Sequence, residues 1–178
     1  MRLSKFGYYG DFLVYPVLIV ALTLCAVHET TGPQFGEWLL FSVSGIAAWT
    51  IAEYFLHRTL FHNFPFLKQM HEAHHAMPKE LVGTPTWLSV AMGLIVIFCP
   101  LWWAAGFIIA SAISAGLMIG YLCYVTVHHL NHHANPPHDT FLYRAKHRHA
   151  LHHYCGGSKN FGVTSDFWDR LFGTEFLR

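Results

Sequence analysis

Histidine recurs in this chain at spacings that suit metal ions. Four clusters stand out: His57-Arg-Thr-Leu-Phe-His62, His71-Glu-Ala-His74-His75, His128-His129-Leu-Asn-His132-His133 and His149-Ala-Leu-His152-His153. On an α-helix, residues three or four apart share a face, so His71, His74 and His75 aim at one region. His149, His152 and His153 repeat that arrangement, and His128 and His132 are again four apart. At 3.6 residues per turn, His57 and His62 lie about 140° apart, which predicts a bend between them.

Protonated, such clusters would repel one another; neutral and buried, they would leave ring nitrogens without partners. A cation resolves both problems by taking a lone pair from each ring. The clusters offer more rings than one ion accepts, so the reading is a pair of metals. Neighbours such as His74 and His75 leave a helix about 100° apart, which lets one serve each ion. Imidazole suits zinc, copper, iron and nickel alike. His28, His138 and His147 stand outside the clusters and read as ordinary satisfied residues. The four cysteines form no CxxC pair. Cys25, Cys99 and Cys123 lie in apolar stretches and read as small buried hydrophobes, while Cys155 stands near the last cluster.

The elements that must position these rings are membrane helices. A hydrophobic fraction of 53%, a charged fraction of 12% and a mean hydropathy of +0.33 do not fit a soluble globule of 178 residues. A net charge of +1 says nothing about nucleic acid, and with no basic stripe no nucleic-acid partner is expected. The fold class expected is all-α, a polytopic membrane protein with four transmembrane helices and a cytoplasmic histidine-rich helical cap, in one domain over residues 1–178. Spans are expected at about 9–28, 37–56, 86–104 and 107–128, because about 20 residues cross the hydrocarbon core. The first begins after a short polar start that is not a cleavable signal peptide. The last two form a hairpin that turns near residues 103–107, with Trp38, Trp102 and Trp103 at one interface. The cap comprises residues 57–85 and 129–178.

All 11 Lys and Arg residues, from Arg2 to Arg178, fall on one side of this arrangement. By the positive-inside rule that side is cytoplasmic, which places both termini and every histidine cluster there. In the cap, Pro136-Pro137 ends the helix carrying His128 and His132. A helix is expected over about 140–154, turning His149, His152 and His153 inward. A short helix follows, with Thr164 or Ser165 as N-cap, Gly173 as its stop, and Phe167, Trp168, Leu171 and Phe172 as packing anchors.

The order HxxxxH, HxxHH, HxxxHH, HxxHH, followed by Asn160-Phe-Gly and Phe167-Trp-Asp-Arg-Leu-Phe-Gly-Thr174, resembles the fatty acid hydroxylase and sterol desaturase superfamily. It is similar to the fatty acid 2-hydroxylase branch, over about Glu53 to Thr174. The resemblance implies a membrane oxygenase with two iron ions, zinc being a possible substitute in purified protein. It implies hydroxylation of an unactivated C–H bond of a lipid acyl chain taken from the bilayer, using O2 and a separate electron-transfer protein. By the same carry-over the ligands are His57, His62, His71, His74, His75, His128, His132, His149, His152 and His153, with His129 and His133 beside them. An all-histidine set carries no negative charge, so nearby carboxylates should orient the rings. Glu53, one helical turn before His57, is the first candidate, followed by Glu72, Asp166 and Asp169. A desaturase or a sterol or carotenoid hydroxylase would use the same centre. A membrane metal transporter is the alternative of another class, and the clustering at one surface argues against it.

Overall fold

The computed structural model describes residues 2–176. Arg178, counted above among the cytoplasmic charges, lies outside the described residues. The backbone is helical: α1 (Lys5–Tyr9), α2 (Asp11–Glu29), α3 (Gly32–Phe55), α4 (Pro65–Ala76), α5 (Thr86–Gly93), α6 (Cys99–His133), α7 (Phe141–Tyr154) and α8 (Phe167–Leu171). A π-helical turn, Leu56–Phe61, extends α3, and a second, Leu94–Phe98, joins α5 to α6. Arg2 and Val82 form an isolated β-bridge. Charge-poor apolar runs favour helices because hydrocarbon cannot satisfy backbone groups, so each segment must satisfy its own. Pro65 opens α4 at its first turn, where a missing N–H costs nothing. The Thr140 hydroxyl caps α7 by accepting from the Tyr143 amide at 3.2 Å.

The chain divides into two compact units. One comprises Leu3–Trp49 and Gly83–Leu122; the other comprises Thr50–Val82 and the chain from Cys123 onward, with Arg2. Among the described residues, three helical stretches are long and apolar enough to cross a membrane: Lys5–Glu29, Gly32–Phe61 and Thr86–His133. In their most apolar windows only 17%, 22% and 0% of residues are buried, so apolar side chains face outward as lipid requires. The 48-residue stretch is broken at Gly106, whose φ of 82° and ψ of 167° suit only glycine. That break falls inside the turn expected near residues 103–107.

Within the apolar unit, Ala26, Trp38, Ala112 and Ala115 form a buried cluster. Trp38 is 3% exposed and its indole N–H donates to the Ser111 hydroxyl at 3.0 Å. The expectation that Trp38 joins Trp102 and Trp103 at an interface therefore fails for Trp38, whose polar edge finds a partner in the core; Trp103 is 92% exposed. Small residues let α3 and α6 approach closely: a Cβ on Gly116 would collide with the Ser42 carbonyl oxygen. The Tyr121 hydroxyl donates to the buried Asp11 carboxylate at 2.6 Å. All four cysteines are free and exposed, against the reading of three as buried hydrophobes. On a helix in lipid an apolar residue need not be buried in protein to leave water.

Candidate metal centre

Every histidine except His28 belongs to the polar unit. Among the described residues, ten of them form two groups of five, each with one nitrogen per ring gathered within 4.8 Å. The first group is His57, His62, His71, His75 and His152; the second is His74, His128, His132, His149 and His153.

Helix geometry explains the sorting. On α4, His71 and His75 are one turn apart and join the first group, while His74, about 100° round from His75, joins the second. On α7 the pattern is mirrored: His149 and His153 share the second group and His152 crosses to the first. His128 and His132 project from α6 into the second group. Where a bend was expected between His57 and His62, the chain widens into a π-helical turn. The π-helical turn Leu56–Phe61 closes i→i+5 bonds and brings residues five apart onto one face, where the two rings stack.

The first group's Nε2 atoms lie at 3.2 Å for His57 and His71, 3.0 Å for His57 and His152, 2.9 Å for His75 and His71, and 3.1 Å for His75 and His152. The second group repeats the spacing, at 3.0 Å for His128 and His74, 2.9 Å for His149 and His132, and 3.1 Å for His153 and His149. Between the groups the rings of His75 and His153 stack, with centroids 4.1 Å apart.

Burial fixes the charge of these rings. It pushes His71 down to about 2, His74 and His152 to about 3, and His75 to about 4, and lowers His149 and His153 as well; neighbouring imidazoles add to the effect. The rings are therefore neutral at pH 7. His57 Nδ1–H donates to the Phe161 carbonyl at 2.6 Å, and His152 Nδ1–H donates to the Lys159 carbonyl at 2.8 Å. A neutral imidazole has one N–H, so both Nε2 atoms carry lone pairs that face each other across 3.0 Å. A shared cation removes that repulsion. Two nitrogens about 2.1 Å from one ion and about 90° apart stand about 3 Å from each other, which fits the spacings. The donor set fits two metal ions.

The remaining expected residues sit around the groups. Glu53 is 3% exposed and accepts from the Val163 and Thr164 amides at 2.7 and 2.8 Å. His129 and His133 stack on one another, with centroids 4.4 Å apart, outside both groups. Glu72 faces Lys68 at 3.8 Å, and Asp166 pairs with Arg170 at 2.7 Å. His28 pairs with Glu29, His138 lies against Tyr143, and His147 is exposed. The short helix is α8, whose N-cap is Asp166 and not either expected residue: Ser165, one position earlier, accepts from the Phe167 amide at 3.1 Å, while Thr164 turns to Glu53. Sequence reasoning did not single out Tyr124, whose ring stacks on His128 with centroids 5.7 Å apart. Its place one turn before His128 was the available signal. A pocket of about 250 Å³ opens on His62, His71 and His75 and is lined also by Lys68, Glu72 and Gly157.

Comparison with known proteins agrees with this geometry. The fatty acid hydroxylase family matches residues 42–174. The chain belongs to that family. It is 34% identical over 171 residues to the dihydroceramide fatty acyl 2-hydroxylase FAH2 of Arabidopsis thaliana, covering 89% of this chain and 69% of the plant protein. It is 30% identical over 175 residues to the ceramide very long chain fatty acid hydroxylase scs7 of Schizosaccharomyces pombe, covering 92% of this chain. The chain spans half the length of that fission yeast relative. The solved structure of full-length scs7p, of which only the hydroxylase domain is visible, is similar with a TM-score of 0.82 and 28% identity. That match covers 96% of this chain and 67% of the other. Family membership thus coincides with an all-helical fold, three long apolar helices and two histidine groups able to hold metal ions.

Proposed function

We propose that this chain is a membrane fatty acid hydroxylase that places a hydroxyl group on the acyl chain of a membrane lipid, at the 2-position named for its plant relative. The observation that carries the reading is the convergence of ten neutral imidazoles into two groups of five in a member of the fatty acid hydroxylase family. Iron is the metal proposed, with zinc able to occupy the same donors. Two iron ions bound there would supply the redox chemistry that activates dioxygen. One oxygen atom enters the C–H bond and the other leaves as water, with two electrons and two protons consumed. A separate electron-transfer protein supplies the electrons.

The chain's own residues bind and orient. Burial keeps the rings unprotonated, so lone pairs rather than positive charges face the site. The carbonyls of Phe161 and Lys159 hold the Nδ1 protons of His57 and His152, which leaves Nε2 of both rings free for a metal. An acyl chain reaches such a site from the bilayer while its polar head stays at the interface.

The apolar stretch Thr86–His133 would measure about 72 Å as one straight helix, more than twice the hydrocarbon thickness of about 30 Å. Folding it at Gly106 gives four spans in all. Lys and Arg of the described chain then share one side with the histidines, and the positive-inside rule makes that side cytoplasmic.

The test is mass spectrometry of total lipids from cells expressing the wild type or His152→Ala. A hydroxylated acyl species made only by the wild type supports the reading. A wild-type-only species lacking two hydrogens would make the chain a desaturase, and histidine-dependent metal uptake into vesicles would make it a transporter.

A further inference from the structure

Asn160-Phe-Gly and the segment ending at Thr174 contribute no ligand to either group, yet two buried carboxylates converge on the backbone between them. Asp169 is 1% exposed; its Oδ1 accepts from the Phe161 amide at 2.9 Å and the Thr174 hydroxyl at 2.7 Å, and its Oδ2 from the Gly162 amide at 2.8 Å. Glu53 takes the next two amides, Val163 and Thr164, on Oε1, and the Thr164 hydroxyl on Oε2 at 2.7 Å. Four consecutive amides are thereby fixed. Asn160 turns the chain into this stretch at φ 56°, a conformation asparagine tolerates, and its Oδ1 accepts from the Phe176 amide at 2.9 Å.

The carbonyls of the same stretch face the histidines. Phe161 holds His57 and Lys159 holds His152, and both rings belong to the first group. The second group lacks this support: Nδ1 of His74, His149 and His153 is buried and meets no partner among the described residues. We infer that Glu53 and Asp169 are positioning residues for the first metal position alone. Through the 159–164 backbone they fix the ring orientation and tautomer of His57 and His152, two rings of the first group. This makes the C-terminal motif part of the metal site. It is more than a packing anchor.

The inference rests on the proposed metal centre, and its test separates the two. Metal-free protein in detergent is titrated with cobalt(II) against a competing chelator, and binding is read from the cobalt absorption bands. Wild type that binds no cobalt would overturn the metal centre itself. Given binding, Asp169→Asn is placed in two backgrounds; the asparagine keeps the size but turns an NH2 toward an amide donor. With the second group disabled by His132→Ala, Asp169→Asn is expected to weaken cobalt binding about 10- to 100-fold and shift its bands. With the first group disabled by His62→Ala, the same change leaves affinity and bands unaltered. Thr164→Val, which removes one hydroxyl donor and keeps both amides, gives a smaller shift of the same pattern and decides the matter if Asp169→Asn does not fold. Equal weakening in both backgrounds, or none in either, overturns the inference.

Discussion

His57 and His62 stand five residues apart, and their rings stack with centroids 5.4 Å apart and planes 22° from parallel. An α-helix would aim them about 140° apart. The widened turn at Leu56–Phe61 makes the HxxxxH spacing productive, and π-turns of this kind recur at functional sites. Inserting one alanine between Thr59 and Leu60 should therefore swing His62 out of the first group. Metal analysis is expected to show one ion lost per chain and the other retained.

Removing one ligand at a time should separate the groups. His62→Ala weakens only the first and His132→Ala only the second, so each variant should bind one ion where wild type binds two. Hydroxylation should fall more than about 100-fold in both, because losing a direct ligand does more than losing an outer partner. Metal content by elemental analysis, set beside turnover of the same samples, checks this. Full activity with one ion would contradict it.

Acid should destabilise the metal-free fold in a defined window. In the unfolded chain these histidines titrate near 6.5, whereas in the folded chain burial holds them at about 4 for His75, 3 for His74 and His152, and 2 for His71. Below pH 6.5 the unfolded chain binds protons that the folded chain does not, so stability is complete above 6.5 and declines as pH falls toward those values. The denaturation midpoint of metal-free protein in detergent should drop between pH 7 and pH 5. A flat profile would mean the rings are not buried as described.

Two glycines should resist substitution in the apolar unit. Gly106→Ala forces a side chain into φ 82°, at about 1–3 kcal/mol. Gly116→Ala drives a methyl group toward the Ser42 carbonyl oxygen and should destabilise by a similar amount, about 1–3 kcal/mol. Gly36, whose Cβ would meet nothing within 4 Å, serves as the control. Thermal unfolding in detergent should place Gly36→Ala beside wild type and the other two below it.

The histidine groups were legible because a metal site on helices must repeat side chains at helical spacing, and the split of His74 from His75 follows from that geometry. The break at Gly106 falls where the length of the apolar run led a turn to be expected, near residues 103–107. Other features were not legible. Nothing local in Leu56–Phe61 announces a π-turn, so a bend was expected in its place. Trp38 reads as an interface residue until Ser111, 73 residues away, takes its indole N–H. The clamp on 159–164 joins Glu53 to amides 110 and 111 residues away, a pairing that no single-sequence spacing encodes. Glu53 drew attention for its place before His57, but its partners are the Val163 and Thr164 amides and the Thr164 hydroxyl.

The most direct measurement supplies isotopically labelled dioxygen to the metal-loaded protein in liposomes containing a ceramide, with a chemical or protein reductant, and locates the label in the product by fragmentation. The account predicts one labelled oxygen on the 2-position of the acyl chain, absent with His152→Ala. Fully loaded, reduced protein that leaves the acyl chain unlabelled, or a product whose hydroxyl oxygen comes from water, would contradict it.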